Sequence, residues 1–121
     1  MRWFTHGNLT PAAREAIVRH KHSVENEGDV FPEGVPAFED VFKRLASKQL
    51  DLITTDKAIV QHVYDEKLKL HRSVVFLQLA GGDVEQDDAI DRLFERYKSP
   101  KPGMLYTVTE SRVKVRQLPG M

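Results

Sequence analysis

Ser73-Val74-Val75-Phe76-Leu77-Gln78-Leu79, residues 73–79, decides the fold class. A strand with one wet face alternates apolar and polar side chains. This run is almost continuously apolar, of strand length, and closed by Gly81-Gly82-Asp83, as expected of a central parallel strand covered by helices on both faces. A charged connection, Lys67 to Arg72, leads into it. Asp83 with Gln86 three residues later reads as a capping box, and Val84, Ile90, Leu93, Phe94 and Tyr97 give the helix that follows an apolar stripe.

Working outward, the same alternation repeats. Arg2 to Thr5 reads as a strand and His6-Gly7-Asn8 as a turn. Thr10 then caps a helix that has Pro11 at its first position and runs to about Lys21. His22 to Glu25 is a short strand, and Asn26 to Pro36, rich in glycine, proline and acid, is loop. From Pro36 to Lys48 the apolar positions Phe38, Val41, Phe42 and Leu45 share one helix face. Asp51 to Thr54 is a strand, and Asp56 opens a helix that buries Ile59, Val60, Val63 and Tyr64. Ser99 to Gly103 turns the chain, and Met104–Thr109 and Arg112–Gln117 pair as an antiparallel hairpin. Strand and helix alternate four times before that hairpin. The expected fold is therefore α/β, a single-domain three-layer sandwich with a mainly parallel sheet and a C-terminal antiparallel strand pair.

The 121 residues contain no cysteine, which excludes disulfides, thiol catalysis and cysteine-ligated zinc. No apolar segment approaches membrane-spanning length and the N-terminus lacks a signal-peptide pattern, so no membrane partner and a cytoplasmic location are expected. Lysine plus arginine equals aspartate plus glutamate, 18 each, so polyanions would have to be met by a local patch. One candidate is Arg112, Lys114 and Arg116, alternating with Val113 and Val115 on the last strand. The phosphate-loop, dinucleotide and nucleophile-elbow signatures are all missing.

Ligands of open parallel sheets bind outside the carboxyl ends of the strands. His6, Gly7 and Asn8 lie at one such end, and Thr54, Thr55 and Asp56 at another. Asp56 there serves as a helix N-cap, as a cation ligand, or as both.

HGNL after the first strand, FEDVFKRLASKQLDLITTDKAIV in the middle, SVVFLQL, and MLYTVTESRVKVRQLPG at the end together resemble the short single-domain PIN-like proteins related to toxin–antitoxin ribonucleases. The similarity covers nearly the whole chain. It implies acidic side chains gathered at the carboxyl edge of the sheet around Mn or Mg, which activate water against a phosphodiester. Of the acids the resemblance implies, the first falls on His6 and the second on Glu39, with Asp40 adjacent. The third falls on Asp56 and the fourth on Ala58, while Asn8 and Leu9 match the pattern. The implied catalytic and metal residues are therefore Asp56, Glu39 and His6. Asn8, Thr54, Thr55, Asp40, Arg112, Lys114 and Arg116 are the binding candidates.

With two of the four acids kept, the resemblance implies a degenerate nuclease acting in nucleic-acid or partner binding. An active Mn- or Mg-dependent ribonuclease of toxin–antitoxin type and a metal-free interaction or dimerisation module are the alternatives. The corresponding partners are RNA, an antitoxin-like protein, or a second copy of the chain.

Overall fold

The computed structural model describes residues 1–119, and the chain forms an α/β fold in three layers. In chain order the elements are β1 (Arg2–His6), α1 (Pro11–Arg19), β2 (Ser23–Glu25), α2 (Glu27–Val30), α3 (Phe38–Lys48), β3 (Asp51–Thr54), α4 (Lys57–Asp65), β4 (Val74–Leu77), α5 (Asp83–Arg96), β5 (Met104–Val108) and β6 (Val113–Gln117). The six strands are ordered β2-β1-β3-β4-β5-β6, with every pair parallel except β5-β6. Val74 to Leu77 are all buried and central, as the uninterrupted apolar run requires.

Side chains alternate between two cores. Phe4, Leu52, Val74, Phe76 and Leu105 pack against α3 and α4, whereas Trp3, Ile53, Val75, Leu77, Tyr106 and Val108 pack against α1 and α5. The connections follow from this division. α1 moves the chain from β1 to one neighbour, while α3 and α4 move it the other way on the opposite face, so these three crossovers share one hand. α5 also moves the chain onward, from β4 to β5, yet it lies on the face of α1. Its crossover therefore has the opposite hand, although about 98% of such connections share a single hand. The arrangement puts α1 and α5 on one face and α3 and α4, with the short α2, on the other. With α5 on the other side, α1 alone would face a six-strand sheet; instead Ile90, Leu93 and Phe94 cover its centre.

Three expectations are corrected. Glu27–Val30 forms one helical turn where a loop was expected, because Asn26 and Asp29 make a reciprocal capping box and Val30 is buried. Gly82, not Asp83, is the N-cap of α5, and no side chain caps that helix. Val84 is exposed rather than part of the stripe, which runs instead through Gln86, Ala89, Ile90, Leu93 and Phe94. Thr10 does cap α1, accepting from the Ala13 N–H at 3.2 Å.

Two buried polar devices lie away from the carboxyl ends of the strands. Asp51, 2% exposed, accepts from the Ser73 N–H at 2.8 Å and pairs with Arg72 at 3.1 Å, tying the amino ends of β3 and β4 together. His22 stacks on Phe94 with ring centroids 4.3 Å apart. Its Nδ1 accepts from the Trp3 indole N–H at 3.2 Å, so Nε2 must carry the proton that it donates to the Lys98 carbonyl at 3.0 Å. Burial, then the nearby N-terminal ammonium, hold the His22 pKa below its ordinary value.

Because the neutral ring is the folded form, the His22 contribution is complete above the unfolded histidine pKa of about 6.5 and is lost as pH falls below it. We expect the urea midpoint to fall between pH 7 and pH 5 and this slope to flatten in His22→Phe; an equal slope in the variant would contradict the assignment. Asp51→Ala orphans the buried Ser73 N–H and should cost about 2 kcal/mol of unfolding free energy. A urea titration showing a loss below about 0.5 kcal/mol would show that water or another group replaces the carboxylate there.

Candidate functional site

The chain reverses its course across the sheet between β1 and β3, and ligands of open parallel sheets bind in the crevice outside the carboxyl ends of the strands at such a point. The sequence expectations for His6, Asn8, Thr54, Thr55 and Asp56 all fall at this point. His6 pairs in register with Thr54, and the loops beyond are stitched together. The Thr55 N–H donates to the His6 carbonyl at 3.3 Å, and the Asn8 N–H donates to Thr55 Oγ1 at 2.7 Å. Gly7 makes this closeness workable. Its φ is +85°, and a Cβ there would stand 2.5 Å from Thr55 Oγ1, so an acidic side chain at position 7 would displace Thr55.

The His6 ring is held by Thr54, with Nδ1 2.8 Å from Oγ1. Thr54 is fully buried and its Oγ1 already accepts the Asp56 N–H at 3.0 Å. The hydroxyl still has one proton to place, and His6 Nδ1 is the acceptor within reach. Thr54 therefore donates to Nδ1, and in the neutral ring the proton sits on Nε2. The opposite tautomer would leave a buried hydroxyl proton without a partner, at a cost of about 1–3 kcal/mol. His6 is 7% exposed, so its hydrogen-bond donor is fixed in direction. The ring meets Phe38 edge-on with centroids 6.4 Å apart, and Phe38 in turn meets His62 of α4 at 5.6 Å. Phe38 starts α3 and is partly buried against the core on that face.

Asp56 is the N-cap of α4, its Oδ1 accepting the Ala58 N–H at 2.9 Å, which leaves Oδ2 as the oxygen free to meet a ligand. Glu39 lies in the exposed first turn of α3. Asp40, beside it, lines a separate concavity of about 610 Å³ with Pro32, Lys43 and Arg44, which takes in none of His6, Asn8, Thr54, Thr55 and Asp56. Among the described residues no three His, Cys, Asp or Glu side chains gather as a group able to hold a metal ion. His6 would have to give up its bond from Thr54, or present Nε2 without its proton, to act as a ligand. The residues expected from the resemblance, His6, Glu39 and Asp56, are thus not gathered as one donor set in this arrangement.

The basic strand is not part of the crevice. β4 and β5 separate β6 from β3, a displacement of about 14 Å at ordinary strand spacing. Lys114 and Arg116 stand opposite Thr107 and Leu105, on the face of α3 and α4, and the Arg116 guanidinium lies 4.1 Å from the Tyr64 ring centroid. Burial pushes the Tyr64 phenol pKa up, an effect that nearby Arg116 opposes.

Two further side chains position the crevice. Gln86, 5% exposed, donates from Nε2 to the Asn8 carbonyl at 3.0 Å and accepts the Thr10 N–H through Oε1 at 3.0 Å. It thereby pins the β1–α1 loop to the start of α5. Glu27 accepts the Gly7 N–H at 3.1 Å. The signal for Gln86 was its place on the buried stripe, three residues before Ala89 and four before Ile90, where a polar side chain needs a reason. Glu27 sits in a segment whose composition reads as loop, and its role has no local signature.

Among the described residues no helix is long and apolar enough to cross a membrane. No protein-family model, no curated protein and no solved structure matches this chain.

Proposed function

We propose that this chain is a PIN-related protein that binds single-stranded RNA at the β1–β3 crevice without hydrolysing it. The observation that carries this reading is the 2.8 Å contact between His6 Nδ1 and Thr54 Oγ1; with the hydroxyl assigned as its donor, the other ring nitrogen is an N–H donor and not a metal ligand. A donor at His6, the free Asp56 oxygen as acceptor and the Phe38 ring are the set of groups that meets an unpaired nucleobase: one face to stack on and two edges to hydrogen-bond. Glu27, Glu39 and Asp56 at this end of the sheet disfavour a close phosphate, so the backbone of such a strand would pass outside the crevice. Among the described residues no three His, Cys, Asp or Glu side chains gather as a metal-holding group, and for that reason hydrolysis is not part of the proposal.

The test is fluorescence anisotropy with short unstructured RNA in the presence of a chelator, using wild type, Phe38→Ala and Thr54→Val. Phe38→Ala should weaken binding about tenfold, the loss of one stacked base. Thr54→Val, which frees the His6 tautomer, should weaken it by less while the fold persists. Manganese-dependent cleavage abolished by Asp56→Asn would overturn the proposal in favour of an active ribonuclease, and binding indifferent to both Phe38→Ala and Thr54→Val would remove the crevice from it.

A further inference from the structure

β6 leaves one edge of the sheet without a further strand among the described residues. β6 is the last strand of the sheet, five residues long, against three for β2 at the opposite edge. Its hydrogen-bond phase follows from the bonds that flank it. Thr109 N donates to the Arg112 carbonyl and Leu118 N to the Gly103 carbonyl, each at 2.9 Å. With Thr107 opposite Lys114 and Leu105 opposite Arg116, those residues are the ones that exchange bonds with β5. Val113 and Val115 consequently turn their N–H and C=O groups outward, four main-chain groups along one edge. The Gln117 carbonyl is already taken by the Tyr64 hydroxyl at 3.1 Å, which closes the ladder at that end.

The side chains select what can pair there. Val113 and Val115 lie on the face of α1 and α5, where Val115 is 39% exposed. Arg112, Lys114 and Arg116 have the other parity, and among the described residues none of them forms an ion pair. A second copy of β6 is a poor partner. Every antiparallel register that keeps the two valines on one face sets basic residues opposite basic residues, and like charges directly opposite are destabilising. The same row that rejects self-pairing suits a strand with acids at alternate positions, so the edge discriminates by charge as well as by shape.

We propose that the β6 edge binds an extended, acidic segment of a partner protein by strand addition, with main-chain bonds to Val113 and Val115 and with aspartate or glutamate side chains paired to Arg112, Lys114 and Arg116. The stack of Arg116 on Tyr64 holds one of these cations in place before a partner arrives, which lowers the ordering cost of binding. The surface is independent of the crevice, and either can fail without the other.

The probe is a nine-residue peptide alternating valine and glutamate, compared with its valine–lysine counterpart and with a glutamate peptide of the same composition in block order. Anisotropy should show the alternating acidic peptide binding at least tenfold tighter than the lysine peptide, with affinity falling as salt rises. Amide exchange at Val113 and Val115 should slow on binding. Combined Lys114→Glu and Arg116→Glu should invert the preference, and Val115→Pro, which removes an outward N–H, should abolish binding of the alternating acidic peptide. All these positions are exposed, and a thermal melt checks each variant for folding. Equal binding by Val115→Pro or by the block peptide would reduce the surface to charge attraction and overturn strand addition. Protection of Val113 and Val115 that grows with protein concentration alone would assign the edge to a second copy instead, and no binding of the alternating peptide would also overturn the proposal.

Discussion

The hydroxyl of Thr54 has one proton, no exposure to water and, among the described residues, one acceptor within reach, and the proposed character of the β1–β3 crevice follows from that constraint. Its oxygen takes the Asp56 N–H, which starts α4 at a fixed point, and its proton goes to His6, which sets the tautomer of a ring that is itself almost fully buried. A histidine held in this way is a directed hydrogen-bond donor. Had the pair been a carboxylate at position 6 and an unengaged threonine, the same backbone would have offered a cation ligand. Whether His6 offers an N–H or a lone pair thus rests on where one proton sits, and the burial of Thr54 favours the N–H.

The backbone around this pair is arranged to keep it still. Gly7 lets the β1–α1 loop press against Thr55, and Gln86 ties the loop to α5 from the opposite direction. The reversed hand of the α5 crossover belongs to the same scheme, because only on the face of α1 can α5 both cover the sheet centre and reach Asn8 and Thr10 with Gln86. A connection that is rare among parallel sheets therefore carries a positioning role as well as a packing one.

Much of the fold was legible in the sequence because periodicity reports burial directly. The unbroken run at Val74 to Leu77 marked the sheet centre, the Phe38-Val41-Phe42-Leu45 spacing marked α3, and Thr10 and Asp56 marked two helix starts. The errors arose where a residue had two uses. Gln86 has the spacing of a capping box but serves a distant loop, and Val84 has a core residue's chemistry but a solvent-facing angle. Glu27 to Val30 has the composition of a loop but the reciprocal bonds of a helical turn. The crevice residues were placed correctly at the strand ends, since α/β topology sends loops there. Their chemistry was not legible, because the His6–Thr54 bond spans 48 residues and a basic strand in the sequence does not say which end of the sheet it faces.

The central claim is most directly tested by the ring nitrogens of His6. Nitrogen-15 correlation spectra of the imidazole at pH 7.5 distinguish a protonated from an unprotonated nitrogen at each position. The account predicts an unprotonated Nδ1 and a protonated Nε2 in the wild type, with this preference relaxed in Thr54→Val. A proton on Nδ1 in the wild type would contradict it, because His6 would then present a lone pair to the crevice and a metal-binding role would regain its physical basis.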